Sequence, residues 1–480
     1  MGGYRAVTSL LNGICRGMNL YPSNTSTYVH SGWYGGIDQV TLDASGLAMA
    51  APTSRTPAGF VSDAENTWSL TAMYNSAGTN TAIIGVATPD LTNIANTTRR
   101  AIWYGDIVTG AALVQLAGTD VPASTAGGVC FVAPYLFVYD LDGYVTWSAP
   151  NDPTDFSTAS GGGGPTGGRV SATKVIYGCV ARGGAGNSPS ALFWTLDSVV
   201  RASFVGGSAI FSFDTVSSST SIISKNAVIE YDGVYYWAGL DRFLMYTGVV
   251  QEMPNDMNLN WFFDGMNWDH HEKTFSFKTS RFGEIGFAYP RVPNTEPSHA
   301  VIYNVREKTW YDTELPNGGR SAWAFSQQVR FPMMGGVEVA SGKYKLWQHE
   351  FGTDEVVGAQ VNAVRSYFDT GNWALMDDSM QVSAPMDKNV TIDRVEPDFN
   401  LTGALGITVI GRAYAMAPDV TGQTYSFDPA NFDADNFETF VQYVRDQRRQ
   451  MRLRFESNVV GGSYEMGNTV GLLGIGDGHP

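Results

Sequence analysis

The residues best suited to bind a metal or to move a proton form one short run, Asp269-His270-His271-Glu272. Adjacent residues of a strand point to opposite faces, whereas a metal ion needs its ligands on one side. A run of neighbouring ligand types is therefore a poor chelator when it lies in a strand. We expect no metal site here.

Motifs that mark catalysis are missing elsewhere in the sequence, which contains no GxSxG, no HExxH and no phosphate-binding loop. Acidic pairs such as Asp140 and Asp142 occupy turn positions, where Asp is favoured because its side chain bonds to the backbone. We therefore expect no enzyme and no cofactor. One alternative stays open, since a glycosidase needs only two carboxylates that face each other across a cleft.

The three cysteines, Cys15, Cys130 and Cys179, are odd in number and widely spaced. Such an arrangement does not favour a disulfide framework or a zinc site. The sequence predicts buried free thiols.

The elements that would position any site are strands. Residues 227–252, AVIEYDGVYYWAGLDRFLMYTGVVQE, predict four short strands separated by turns at Asp232-Gly233, at residues 238–241 and at Thr247-Gly248. Asp-Gly supplies the positive backbone dihedrals that a tight hairpin requires. A four-stranded meander is the unit of a β-propeller, and one blade implies several more.

Tryptophans support a repeat of blade length. Trp103, Trp147, Trp194 and Trp237 lie in strand-like runs spaced 44, 47 and 43 residues apart. A period near 40–50 residues is typical of propeller blades, so residues 32–356 are predicted to form about five to seven of them. The number of blades stays open, because the tryptophan holds no fixed place relative to the turns.

Residues 254–269, PNDMNLNWFFDGMNWD, lack the strand-like pattern of their neighbours and predict an aromatic-rich loop or short helix. Crowded aromatic side chains are typical of interfaces. A loop folded under its own side chains explains them equally well. The candidate interface or lumen residues are Trp261, Phe262, Phe263, Met266 and Trp268.

The sequence pattern changes after residue 356. Apolar and polar residues alternate, as they do in strands, at 390–397, 406–414 and 450–458. Residues 357–480 are therefore predicted to form a separate β-sandwich-like domain. Residues 437–449 fit a short helix or a strand. The one basic cluster of the chain lies nearby, and we expect it to form salt bridges with neighbouring acidic residues or, alternatively, to contact phosphate. Its members are Arg445, Arg448, Arg449, Arg452 and Arg454.

Composition limits the partners. Of the 480 residues, 16% are charged, 12% are aromatic and the net charge is −16. Low charge with many aromatics suits a subunit that is buried in an assembly. An acidic chain does not favour tight binding to DNA, although an acidic wall would let a duplex slide past it. No apolar run is long enough for a signal peptide or a membrane span.

Several long motifs resemble one family. The densest lie between residues 194 and 322, among them LDSVVRASFVGG, RFGEIGFAYP, HAVIYNVREKTWYDTELPNGGRSA and the 227–252 meander with its flanks. Weaker ones are NGICRGMNLYPS and RRQMRLRFESNVVGGSYEMGN. They resemble the tail-nozzle or tail-hub proteins of short-tailed bacteriophages, which include the tail accessory, or head-stabilisation, factor of P22-like phages. About half of the chain carries the resemblance, and residues 32–188 lie outside the motifs that carry it.

The resemblance implies a structural virion protein that forms a homohexameric ring of propeller subunits below the portal and adaptor. Such a ring retains the packaged genome and forms the conduit for DNA ejection. It implies that residues 1–31 form an arm packed with a platform domain, residues 357–480, which meets the adaptor. Further implied partners are tail spike, fibre or needle proteins and the DNA in the lumen, with assembly in the bacterial cytoplasm. The family contributes no catalytic residues here. A propeller-type glycan-binding or polysaccharide-degrading tail protein is the alternative.

Overall fold

The computed structural model describes residues 2–75, 80–122, 126–182, 188–255, 260–326, 329–338, 342–373, 389–414, 416–433 and 435–476. The chain forms two compact units. The first is Val7–Gln348, and the second combines Met1–Ala6 with His349–Pro480. None of the helices in the described ranges is long and apolar enough to cross a membrane.

The first unit is a β-propeller, and the described residues form seven blades; six are four-stranded sheets, and the seventh is part of a six-stranded sheet. The N-terminal strand of the chain is β1 (Tyr4–Leu10). Blades one and two are β2 (Gly17–Pro22), β3 (Thr27–Trp33), β4 (Gly36–Leu42), β5 (Thr53–Ser54), and β6 (Thr67–Tyr74), β7 (Thr81–Thr88), β8 (Trp103–Asp106), β9 (Val114–Gln115). Blades three and four are β10 (Ala126–Val132), β11 (Tyr135–Asp140), β12 (Tyr144–Trp147), β13 (Gly168–Arg169), and β14 (Val175–Val180), β15 (Ser190–Thr195), β16 (Val199–Gly206), β17 (Ile210–Ser217).

Blades five and six are β18 (Val228–Tyr231), β19 (Val234–Ala238), β20 (Phe243–Tyr246), β21 (Val250–Glu252), and β22 (Phe275–Thr279), β23 (Glu284–Tyr289), β24 (His299–Asn304), β25 (Thr309–Glu314). Blade seven is β26 (Arg320–Ala324), β27 (Met333–Glu338), β28 (Lys343–His349) and β1. Short helices interrupt the strands: α1 (Asn260–Phe263) and 3-10 turns at Thr158–Ser160, Trp268–Lys273 and Pro316–Gly318.

Blade five is the meander expected from residues 227–252. Its first hairpin turns at Asp232 and Gly233, whose φ angles are 49° and 82°. Both are positive, as the tight turn requires. The prediction of a propeller blade from this stretch is confirmed.

Apolar side chains fill the spaces between blades. Ile229, Tyr236 and Phe243 of blade five share one core cluster with Phe287 and Tyr303 of blade six. A blade buries its faces only against its neighbours, so the repeat must close into a ring. Closure uses the N-terminus: β1 lies beside β28, and Val7 and Leu11 share a buried cluster with Met333 and Leu346.

The second unit contains two sheets around a separate core. Its strands are β29 (Glu355–Val357), β30 (Gln360–Asn362), β31 (Ser366–Asp369), β32 (Val390–Thr402), β33 (Leu405–Arg412), β34 (Val420–Phe427), β35 (Gln442–Arg448), β36 (Gln450–Ser457) and β37 (Ser463–Ile475). One sheet has the order β31-β36-β33-β34 and the other β35-β32-β37. Ile392, Ile407 and Phe455, all fully buried, belong to the core between them. The unit is a β-sandwich with 3-10 turns at Pro429–Asn431 and Phe437–Phe440.

The domain boundaries differ from those expected at the N-terminus. Residues 1–31 were expected to accompany the C-terminal domain, but only Met1–Ala6 belongs to the second unit. There Tyr4 and Arg5 pair with Glu355 and Val356 of β29. The rest of the arm belongs to the propeller because β2 and β3 pair with β4 in blade one.

Candidate functional site

The aromatic segment expected at residues 254–269 lies between blades five and six, and residues 256–259 of it are outside the described residues. Phe262 and Met266 are buried, with exposed fractions of 1% and 2%. The Phe262 ring lies 4.9 Å from Phe243 of blade five and 4.5 Å from Tyr289 of blade six. Phe263 packs against the same cluster. These three side chains hold the two blades together.

Trp261 and Trp268 remain at the surface, with exposed fractions of 43% and 42%. The guanidinium of Arg291 lies 3.6 Å above the ring of Trp261, a cation–π contact. Trp268 donates its indole N–H to the carbonyl of Phe263 at 3.2 Å. Of the five candidate interface residues, only the two tryptophans therefore present large apolar surface to a partner.

The basic cluster lies on β35, on β36 and at Arg449 between them, and Arg452 and Arg454 form ion pairs. Arg454 bonds both oxygens of Asp369 at 2.6 and 3.0 Å, and Arg452 reaches Asp369 at 3.1 Å and Asp419 at 2.7 Å. The hydrogen bond from Arg454 holds the pKa of Asp369 below its ordinary value.

The remaining members of the cluster differ in their surroundings. Arg448 lies 3.4 Å from Asp446. Arg445 is exposed and Arg449 is half-buried. Within the cluster, Arg452 and Arg454 match the expectation of salt bridges with acidic neighbours.

The Asp269-His270-His271-Glu272 run lies in a 3-10 turn, and the strand assumed for it is wrong. His271 hydrogen-bonds Thr92 Oγ1 through Nε2 at 2.9 Å and the carbonyl of Trp268 through Nδ1 at 2.8 Å. No group of three ligand residues placed for a metal ion occurs in the described part of the chain. With Glu65 and Asp90 the run lines a polar cavity of about 450 Å³.

Residues 89–101, which connect β7 to β8 in blade two, form a strap over several blades. Leu91 is 2% exposed and belongs to the apolar cluster of Trp194 and Trp237 in blades four and five. Thr92 contacts His271 before blade six, and Arg99 forms an ion pair with Asp142 of blade three. Sequence analysis did not identify this strap.

Lys225 is the second feature that the sequence did not reveal. It precedes blade five, yet its ammonium donates to Thr67 O at 2.6 Å and to Thr88 Oγ1 at 3.0 Å, both in blade two. Burial lowers the pKa of Lys225 to about 7. The side chain therefore ties together two blades that are not neighbours in the ring.

A cavity of about 450 Å³ is lined mainly by the innermost strands of the blades, with Lys225 among its walls. Cys130 and Cys179 also line it, and burial raises the pKa of both thiols. They are protonated at neutral pH and are poor nucleophiles. Glu230 is paired with Lys278 at 3.3 Å and with Arg182 at 3.6 Å. Buried free thiols were predicted; all three cysteines are free, and Cys15 and Cys130 are buried, whereas Cys179 is half-buried.

The second unit carries an exposed apolar strand, β37, at the edge of its three-stranded sheet. Ile475 is 67% exposed, whereas its direct partner on β32, Val390, is 1% exposed. Leu473 is 44% exposed opposite the fully buried Ile392. Direct cross-strand partners project on the same face of a sheet. On this face of the sheet, the side chains of β32 are therefore buried in the core, whereas those of β37 are exposed to solvent.

Comparisons with known proteins give similarity to solved structures alone. No protein-family model matches the chain. No curated protein matches it either. A chain of the crystal structure of the mitotic checkpoint complex is 10% identical, with a TM-score of 0.40, over 72% of this chain and 93% of that chain. The crystal structure of Saccharomyces cerevisiae Sqt1 is also 10% identical, with a TM-score of 0.40, over 80% of this chain and 95% of that one.

Proposed function

We propose that this chain is a ring-forming structural protein of the tail of a short-tailed bacteriophage, the nozzle or hub below the portal and adaptor. The observation that carries the proposal is the apolar surface of the second unit. Its core is well formed, yet large apolar side chains lie exposed outside it: Val361, Tyr367, Tyr414, Met416, Val420, Tyr443, Val460, Val470, Leu472, Leu473 and Ile475. Four of them, Val470, Leu472, Leu473 and Ile475, lie together on β37, and a contiguous exposed apolar patch marks an interaction site.

Electrostatics supports passage of DNA without binding. Six copies of a chain with net charge −16 carry about −96. Such a ring repels phosphate, so a duplex moves through it without adhering. Arg452 and Arg454 do not offset this, because both are paired with Asp369.

The proposed partners follow from this role. The ring is a homohexamer that meets the adaptor above and spike, fibre or needle proteins at its periphery or tip. It retains the genome in the virion and opens for ejection into the host after assembly in the bacterial cytoplasm. The described residues that line the propeller cavity include protonated thiols and a paired carboxylate, which supports a structural role over catalysis.

Imaging the virion tail by electron cryomicroscopy tests the proposal. We expect six copies of the propeller and sandwich in one ring below the adaptor. Absence of the chain from that position rejects the proposal. A stable monomer that binds or cleaves host polysaccharide would instead establish the glycan-directed alternative, for which the exposed Trp261 and Trp268 are the residues to test first.

A further inference from the structure

We propose that copies of this chain join through their sandwich units by strand addition, with the edge of β37 in one copy pairing with the edge of β34 in the next. The inference rests on the proposed function, since it requires several copies of the chain. Beyond the proposed function, the inference identifies the two strand edges through which the copies join.

Among the described strands of the sandwich, four lie at the edges of their sheets with no described strand beyond them, and two of these edges are protected. β31 is only four residues long. β35, QYVRDQR, carries Arg445, Asp446 and Arg448, and Arg445 has a positive φ of 52° where the register shifts against β32. Short strands, charges and bulges are the devices by which natural sheets prevent edge pairing.

The other two edges are longer and nearly uncharged, and each carries one irregularity of register, at residues 466–469 of β37 and at residues 421–424 of β34. β37, SYEMGNTVGLLGI, is thirteen residues long with a single charge, at Glu465. β34, VTGQTYSF, is eight residues long with no charge and is mostly exposed. No described strand pairs with the outer edge of either. A long edge with few charges is a template for another strand.

The two open edges lie at opposite ends of the sandwich. β35 packs against β33 and β34, and Tyr425 of β34 donates its hydroxyl to the carbonyl of Val444 on β35. β37 is the other edge of that sheet, so β34 and β37 lie at opposite ends of the sandwich. A contact between unlike, opposed surfaces repeats from copy to copy and closes into a ring when the rotation permits.

The partner that we propose for each open edge is a second copy of this chain. Strand addition would provide backbone partners for both edges and cover Leu473 and Ile475, which extend the open core face of β37. Neither edge presents like charges to the other, so their approach meets no local repulsion.

Lysine substitutions at each edge test the pairing separately. The β37 variant is Val470→Lys with Leu472→Lys, and the β34 variant is Val420→Lys with Gln423→Lys. The matched control is Val205→Lys with Val249→Lys in the propeller. The three valines Val470, Val205 and Val249 are similarly exposed, at 60%, 56% and 64%. Thermal unfolding of each variant verifies that it is folded.

Mass photometry and analytical ultracentrifugation of the full chain then report the assembly. We expect wild type and control to form a ring, each edge variant alone to be a monomer, and a one-to-one mixture of the two variants to form heterodimers. Heterodimers arise only if β37 of one chain meets β34 of the other.

Three results overturn the inference. If the β34 variant assembles like wild type, the contact does not use β34. If both variants keep the wild-type mass, the ring is held by another surface, and the proposed function survives. If wild type stays monomeric up to about 100 μM, free copies do not pair in this way. The tail images decide the proposed function independently.

Discussion

At the scale of single residues, Lys225 is a buried amine with a strongly lowered pKa. Its pKa falls from an ordinary 10.5 to about 7 because burial disfavours the charged form. Between those two values the unfolded chain binds more protons than the folded chain. The free energy of unfolding therefore rises with pH across this window, and the cost of the buried charge is present in full below pH 7.

Replacing Lys225 by Met should remove this dependence. We expect the stability of wild type to increase more steeply than that of Lys225→Met, by about 1.4 kcal/mol for each pH unit between about pH 7 and about pH 9, with little difference in slope below about pH 6. Urea titrations at these pH values measure it. Lys343→Met, at an exposed lysine, is the control and should follow wild type. Equal slopes in wild type and Lys225→Met would contradict the prediction.

The aromatic segment gives a second prediction at this scale. Phe262→Ala should lower the free energy of unfolding by about 3–5 kcal/mol, because it empties the space between blades five and six. Trp261→Ala, at a half-exposed ring, should cost about 1 kcal/mol, chiefly its contact with Arg291. Chemical denaturation of both variants compares them. Equal losses would show that Trp261 also belongs to the core.

The sequence identified the candidate residues of these sites, but it did not predict which of them are buried or what they contact. It singled out the aromatic segment and the arginine cluster, but it could not separate Phe262 from Trp261, because burial depends on blades that lie before and after the segment. It assigned His270 and His271 to a strand, whereas they lie in a 3-10 turn that a connector of blade two contacts. Lys225 carries no local signal, since its acceptors lie more than 130 residues away.

At the scale of elements, the strap of residues 89–101 should be a structural part of the propeller. Leu91→Ala should lower the free energy of unfolding by about 2–5 kcal/mol, because Leu91 is 2% exposed in the cluster of blades four and five. Ile94→Ala is the control in the same strap; its side chain is 78% exposed, so a change within about 0.5 kcal/mol is expected. Equal effects in urea denaturation would reject the anchoring role of Leu91.

Strand β1 allows a test of ring closure. Val7 is fully buried and Leu10 is 39% exposed on the same strand. Val7→Asp should destabilise the propeller by about 3 kcal/mol or more, because a carboxylate would enter the core of blade seven. Leu10→Asp should change stability far less. Thermal unfolding of the two variants measures the difference, and similar midpoints would mean that β1 does not close the ring.

The sequence predicted elements with strong turn signals and missed those with weak ones. Blade five was identified from Asp232-Gly233 and its aromatic strands. Closure by β1 could not be predicted, because its partner β28 lies more than 300 residues away. Strand β37 was missed because Gly467, Gly471 and Gly474 interrupt its apolar run, and glycine weakens a strand signal. Residues 437–449, which fitted a helix or a strand, contain a 3-10 turn followed by β35.

At the scale of the whole molecule, charge opposes the assembly that apolar surface favours. Each copy carries −16, so copies repel one another through solution. Raising the salt concentration from about 0.05 M to about 0.5 M shortens the screening length severalfold and should increase the ring fraction. Mass photometry across a salt series, with sucrose as an uncharged control, measures it. A ring that dissociates in salt would point to ion pairs as its main contact.

The strap has a consequence for how this fold can change in evolution. In most repeat proteins each unit contacts only its neighbours, so a unit can be duplicated or lost without disturbing distant ones. Here a connector of blade two contacts partners in blade three and beside blade six, and Lys225 joins blades two and five. Inserting or deleting a blade would change the distance that the strap must cover and the distance between Lys225 and its acceptors in blade two. We therefore expect the number of blades to be kept, whereas loops outside the strap can diverge more freely.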